Sequence, residues 1–370
     1  MSVSHLTRRR LLGTAGIAMG GLLTPSLIRA GLAAGFPAVK EEDAVIAFGH
    51  VGPISDEAWT FAHHQGLLAV KQKFPKAKYI EVETIPYSAD ATRSFRQFVA
   101  QRANLVFVTS EYGDLLHSVS DKAQDIAWME CSGHSVTNNR GWYYVKHWLP
   151  TYLVGMAGGL MSKSGKLGYV GSYPAPPVFC SANAFLMGAR AVNPSATLQV
   201  ITINSWFDPQ GASQAATALI DNGCDLLFGV EDEASYLQVA EKRGVKAIMW
   251  HTDMRRHGPK AYISSVVVDW RQMYIDQVSA RLNGTWKPEQ ILLDLGKGID
   301  RDAWGETVPQ EVRAQVDEVR DKMLKGWSPF EGEIKDTSGK VRFAKGQQLD
   351  DATLYNWDWA IEGVSGLKAS

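Results

Sequence analysis

The residues best equipped for chemistry lie in six short stretches, each following an apolar run: Gly49–Trp59, Thr109–Asp114, Gly171–Pro177, Asn204–Pro209, Val230–Glu233 and His251–Asp253. They carry aromatic faces at Trp59, Tyr112, Tyr173, Trp206 and Phe207. They carry acceptors at Asp56, Glu111, Asp232 and Asp253, with the Ser110 hydroxyl beside them. Lys and Arg are absent until Arg255. A site for a carboxylate or phosphate normally presents Arg or a glycine-rich loop. Flat rings with acceptors suit instead a neutral or donor-rich planar ligand, such as a nucleobase, held between rings. Covering the ends of a sheet is the competing role for any one of these aromatics.

Catalysis would have to use the same stretches. The candidate bases are His63-His64, His134 and His251. Adjacent residues on a helix point about 100° apart, so His63 and His64 do not form a pair. Cys131-Ser132-Gly133-His134 offers two metal ligands where a structural zinc needs four. No Gly-x-Ser-x-Gly, His-Glu-x-x-His, Walker or dinucleotide fingerprint occurs. Gly155-Met156-Ala157-Gly158-Gly159 reads as a small-residue helix packing face, because no Lys-Ser/Thr follows it. Asp208-Pro209 reads as a helix N-cap with Pro at the first position. No catalytic residue, metal or cofactor is expected.

The chain has 370 residues, enough for two or three domains. Its 38 basic and 39 acidic side chains give no electrostatic case for binding nucleic acid. With 45% hydrophobic residues it is neither a disordered chain nor a polytopic membrane protein. Cys131, Cys180 and Cys224 are too few for a disulfide scaffold, and their spacing announces no pair. Residues 1–34 read as an export signal. Arg8-Arg9-Arg10 precedes an apolar stretch from Leu11 to Leu23, and Gly31-Leu32-Ala33 gives a small-x-small cleavage site. The paired arginines before two leucines resemble a twin-arginine signal; an ordinary secretory signal is the alternative. No Cys stands near the cleavage site, so lipid attachment there is excluded. The expected product is a slightly acidic, soluble, periplasmic monomer.

Positioning those stretches requires strands and helices in alternation. Ala44–Phe48, Lys78–Glu83 and Leu105–Val108 read as buried strands. Helix patterns lie between them at Glu57–Lys73 and around Ala91–Val99. The series restarts at Lys166–Val170, with strands at Gln199–Ile203, Leu226–Gly229 and Ala247–Trp250 and helices between them. Alternation of this kind gives parallel sheets with helices on both faces. Two runs, parted by the aromatic stretch Gly141–Tyr152, give two α/β lobes. The expected lobes are 43–147 plus 267–296 and 148–266 plus 297–370. Ile263–Val268 with the helix candidate Trp270–Leu282 is one βα unit more than the second half needs and is a candidate for crossing back. Gly332–Lys335 and Lys340–Phe343 read as a terminal hairpin. In open parallel sheets, ligands sit beyond the carboxyl ends of the strands, where the six stretches fall.

Three segments carry a family resemblance: Gly52-Pro53-Ile54-Ser55-Asp56-Glu57-Ala58-Trp59, Asn204-Ser205-Trp206-Phe207-Asp208-Pro209 and Thr252-Asp253-Met254-Arg255-Arg256-His257-Gly258-Pro259-Lys260-Ala261. With Gly168-Tyr169-Val170-Gly171-Ser172, Asn283-Gly284-Thr285-Trp286 and the ending Gly346–Asp351, they resemble the basic membrane protein (PnrA-like) family over most of the chain. That family comprises substrate-binding proteins of ABC importers for purine nucleosides and bases. The resemblance implies a type I periplasmic-binding fold, with two α/β lobes, three crossovers and a ligand cleft between them. It implies a purine-type ligand and a membrane permease as partner. Asp56 keeps the family's acid in the first loop, with Trp59 where an aromatic is expected, but no Asn follows. Asp253 matches the acid after the last strand of the second lobe. The Lys that clamps ribose would follow Val268, where Asp269 stands, so the chain is more similar to the free-nucleobase branch. Glu111 stands where the branch has an apolar or aromatic residue.

The readings that remain are a binding protein without chemistry of its own, an exported nucleoside hydrolase, and a ligand-sensing partner of a membrane receptor. A hydrolase needs a calcium-binding acidic cluster or a positioned base, and the sequence displays neither.

Overall fold

The computed structural model describes residues 35–368. The expected export signal lies outside the described residues. The first run of strands is β1 (Val45–Gly49), β2 (Lys78–Val82), β3 (Leu105–Val108), β4 (Ala127–Cys131) and β5 (Arg140–Val145). Between them stand α1 (Trp59–Lys73), α2 (Ala91–Ala100) and α3 (Asp114–Ser120). After α4 (Trp148–Met161), the second run is β6 (Lys166–Gly171), α5 (Pro176–Val192), β7 (Thr197–Thr202), α6 (Pro209–Asp221), β8 (Leu226–Val230), α7 (Ser235–Arg243), β9 (Lys246–His251) and β10 (Tyr262–Val268). The chain then forms α8 (Arg271–Leu282), β11 (Gln290–Leu293), β12 (Ile299–Arg301) and α9 (Gln310–Leu324). It ends with the pair β13 (Ile334–Lys335) and β14 (Val341–Phe343), α10 (Asp351–Tyr355) and β15 (Val364–Ser365).

Two sheets result. The first has the order β11-β5-β4-β3-β1-β2 and is parallel throughout. The second has the order β12-β10-β9-β8-β6-β7-β15, antiparallel only where β12 joins β10. The chain passes between the sheets three times: from β5 to α4, from β10 to α8, and from β11 to β12. Within the expected extra unit, the 263–268 run joins the second sheet and the return to the first comes at its helix, where α8 packs on α1. Strands buried on both faces need apolar side chains in succession. β3 and β8 are apolar and buried at every position.

The aromatic stretch from Gly141 carries the first passage between the sheets. Its first residues are β5, buried at all six positions, and its last begin α4. Trp142, Tyr143 and Tyr144 are core residues, which explains their bulk. Helix α4 lies against α5 so closely that a Cβ on Gly155 would stand 2.2 Å from the Phe185 carbonyl oxygen. On Gly188 it would stand 2.0 Å from that of Tyr152. The small-residue motif is thus a helix-packing face. The terminal hairpin pairs Ile334 with Phe343. All three cysteines are buried and free, so Cys180 and Cys224 do not pair.

Candidate functional site

A cavity of about 630 Å³ opens at the carboxyl ends of both sets of strands. The first sheet contributes Val51–Pro53, Asp56 and Trp59 after β1. It also contributes Thr84–Tyr87 after β2, Ser110 and Glu111 after β3, and Ser132 and His134 after β4. The second contributes Tyr173 after β6, Ser205–Phe207 after β7, Val230 and Asp232 at the end of β8, and Trp250 and His251 on β9. Ala175–Pro177, with Tyr144 and Tyr355, complete the wall. Neither Lys nor Arg is among the lining residues.

Each side chain is held by local chemistry. Asp56 ends a short 3-10 turn and accepts from the backbone amides of Ala58 (2.8 Å), Thr60 (2.8 Å) and Phe61 (3.0 Å). It thereby satisfies the first amides of α1, which otherwise lack partners. Burial and the nearby Asp232 raise its pKa above the ordinary carboxylate value, against the pull of those amides. Trp59 donates its indole N–H to the Thr109 carbonyl at 2.8 Å and meets His63, His251 and Trp270 edge to face at 4.6, 5.1 and 5.8 Å. Its ring is therefore fixed before any ligand arrives. Trp206 leans on Tyr173 at 5.7 Å, and its carbonyl accepts from the Asp232 amide at 2.8 Å. The Asp208 side chain accepts from the Gly211 amide and caps α6, as Asp208-Pro209 led us to expect.

Asp232 is the least satisfied acid in the wall. Its Oδ1 is shut from solvent and lacks a hydrogen-bond partner; His251 Nε2 stands 3.2 Å away without pointing at it. Burial pushes the Asp232 carboxyl up to about 7 and pushes the His251 imidazole down to about 3. His251 is thus neutral at physiological pH, and Asp232 stands near its midpoint. Glu111 lies 3.5 Å from His134, and burial raises its pKa. The Tyr87 hydroxyl is bonded to Ser110, and its ring stacks on Tyr112 at 5.0 Å.

The structure brings seven of the nine expected residues to the cavity: Asp56, Trp59, Ser110, Glu111, Trp206, Phe207 and Asp232. Two are not there. Tyr112 is buried behind Tyr87, its hydroxyl given to the Ile85 carbonyl at 2.7 Å. Asp253 is turned outward and gripped by Arg255, whose Nε stands 2.8 Å from both carboxylate oxygens. Arg255 also reaches Asp302 at 2.7 Å, so the local ion pair is the arrangement found. Reasoning from the sequence passed over Tyr87, Tyr144 and Tyr355. Tyr87 follows a strand like the others, so the same rule would have found it. Tyr144 lies within β5, and Tyr355 comes from α10, where no strand-end rule applies.

A contact spans the two sheets beside the cavity. The Glu57 carbonyl accepts from the Thr252 hydroxyl, and its carboxylate meets Arg256 and the His257 ring, the latter at 2.8 Å. The bond to His257 holds the Glu57 carboxyl below its usual range.

This geometry agrees with the comparisons with known proteins. Residues 44–337 match the family described as ABC transporter substrate-binding protein PnrA-like. The chain belongs to that family. It is 33% identical to a purine-binding protein of Brucella abortus, over 90% of this chain and 97% of that one. It is 32% identical to a Haloferax volcanii protein named as an ABC transporter glucose-binding protein, over 78% of this chain and 75% of that one. Among solved structures it resembles a solute-binding protein from Aeropyrum pernix with a TM-score of 0.67 at 15% identity, over 86% of this chain and all of that one. A solute-binding protein from Conexibacter woesei gives 0.62 at 21%, over 76% and 97%. The fold is that of type I periplasmic binding proteins. No helix among the described residues is long and apolar enough to cross a membrane.

Proposed function

We propose that this family member is an exported, periplasmic binding protein that captures a purine nucleobase and delivers it to an ABC importer. The observation that carries the reading is the cavity wall. It joins fixed aromatic faces at Trp59 and Trp206 to the carboxylates of Asp56, Glu111 and Asp232, with no cationic side chain among them. Ring N–H and amine donors of a purine complement such acceptors, and its faces complement the indoles. The name of the Brucella relative points the same way. A free base is favoured over a nucleoside because the residue after β10 is Asp269, which faces Arg271 at 2.8 Å and does not line the cavity.

The name of the Haloferax relative makes a sugar the competing ligand, since carboxylates and aromatic faces also hold hydroxyls and sugar rings. Mass spectrometry of the ligand that co-purifies with the protein, followed by calorimetry with adenine, guanine, hypoxanthine, their nucleosides and glucose, separates the two. We expect one base bound per chain. Binding of glucose and of no purine overturns the reading. Nucleosides incubated with the protein should be recovered intact; release of free base would instead establish a hydrolase.

A further inference from the structure

We propose that His50, His64 and Glu81 form a binding site for one divalent cation of the late first-row transition series, zinc being the probe. The three residues are far apart in sequence, and the fold collects them from three consecutive elements. His50 follows β1, His64 lies on α1, and Glu81 lies on β2, the edge strand paired with β1. One ligand atom from each lies within 4.8 Å of the other two. His50 Nε2 is 3.1 Å and His64 Nδ1 2.6 Å from Glu81 Oε1. None of the three lines the cavity.

Two imidazoles and one carboxylate suit zinc, copper, nickel or iron, whereas magnesium and calcium want oxygen donors alone. With three protein ligands, a fourth position stays open to water, as in zinc sites that exchange ligands rather than in closed structural ones. His50 is fully buried, while His64 and Glu81 are partly exposed, so a cation has a way in from one side. Two features limit affinity. Lys71 Nζ stands 3.4 Å from Glu81 Oε2 and must swing into solvent when a cation enters. His50 Nδ1 is buried without a partner, so the N–H it carries once Nε2 binds metal has no acceptor. Without metal, the same residues make a hydrogen-bonded hub around Glu81. The cation would fasten α1 and β2 to the end of β1, from which the loop carrying Asp56 departs.

The test is equilibrium dialysis of tag-free protein against zinc chloride, paired with thermal melts. We expect one equivalent of zinc bound and a raised Tm. Loss of an outer partner at a metal site weakens affinity by about 10- to 100-fold, so loss of a ligand, in His64→Gln or Glu81→Gln, should weaken it at least tenfold. His117→Gln, on α3 and partly buried against Glu130, should leave zinc affinity unchanged. Cobalt(II) added to the unaltered protein gives a readout that needs no variant: absorption bands shifted and intensified relative to the aqueous ion. Failure of the unaltered protein to bind zinc stoichiometrically, zinc affinity unchanged in both variants, or a cobalt spectrum identical to that of the aqueous ion overturns the proposal.

Discussion

Asp232 and Asp253 occupy equivalent places in the second sheet. One follows β8 and the other follows β9, its parallel neighbour, at the same end. Their surroundings are opposite. Asp253 is 43% exposed and lies against Arg255, which stacks on Tyr262 at 5.3 Å and also holds Asp302. Asp232 is flanked by Glu231 and Glu233, and its nearest base, His251, is held neutral by burial. Burial and these acid neighbours push Glu231 up to about 11, so it adds no charge at neutral pH, and burial pushes Asp232 up to about 7. A strand end therefore fixes where a carboxylate stands, while the supply of cations within a few residues decides whether it is free to accept from a ligand. A buried acid without a partner is costly, and that cost falls when a ligand brings donors.

The strongest way to break the comparison is Asp232→Asn. If Asp232 accepts a charge-assisted bond from the base, worth about 1.5–3 kcal/mol, the variant loses roughly 10- to 150-fold in affinity by calorimetry. The pH behaviour should diverge as well. Because the folded-state pKa is raised above the unfolded value near 3.8, the folded protein holds the proton more tightly. Its contribution to stability is present at low pH and is lost as pH rises from about 4 through 7. Ligand-free melts should show that downward slope in the unaltered protein and a flatter one in Asp232→Asn. Affinity should climb with pH across the same range, because the ionised form is the one that binds donors. An affinity independent of pH and unchanged in the variant would remove Asp232 from the site.

Next in size is Trp59→Ala. Base–aromatic stacking is worth roughly 1–3 kcal/mol, giving an affinity loss of about 5- to 150-fold. Since Trp59 also packs on His63 and Trp270, near-UV circular dichroism must accompany the calorimetry. Smaller again is Glu57→Gln, which weakens the contact with Arg256 and His257. Partly exposed ion pairs contribute about 0.2–1 kcal/mol, so affinity should fall by up to about fivefold. Small-angle scattering should show a larger radius for the ligand-free variant, because the lobes would part more readily by hinge motion. Identical curves would show that this contact does not govern closure.

The two α/β halves were legible because each strand and helix alternates in both apolar pattern and length. The β4 and β5 strands were not, since Glu130 interrupts the apolar run of β4 and Arg140-Gly141 opens β5, although both strands are buried throughout. The cavity's first-sheet and second-sheet loops followed from the rule that ligands meet strand ends, and Trp59, Glu111, Trp206 and Asp232 lie on its wall. Tyr355 could not be read this way. It arrives from a helix near the end of the chain, fixed by its hydroxyl on the Gly133 carbonyl at 3.0 Å, a contact set by tertiary packing alone. The hub of His50, His64 and Glu81 escaped for the same reason: no local spacing marks residues joined only when β1, α1 and β2 pack.

Asp253→Asn is the smallest expected effect and the sharpest control. The two acids share a strand-end position, so a rule based on position alone predicts an affinity loss like that of Asp232→Asn. The geometry predicts otherwise. The Asp253 carboxylate is spent on Arg255 and is turned away from the cavity wall. An Asn there keeps the shape and one acceptor but loses the charge that holds the guanidinium. Arg255 still has Asp302 at 2.7 Å and the Tyr262 ring beneath it, so it stays in place. The pair is exposed, and its loss should therefore cost only about 0.2–1 kcal/mol of ligand-free stability, with affinity changed less than about twofold. A tenfold loss of affinity with an unchanged melting temperature would mean that Asp253 leaves Arg255 when the ligand binds, and that position, not pairing, decides which acid the ligand meets.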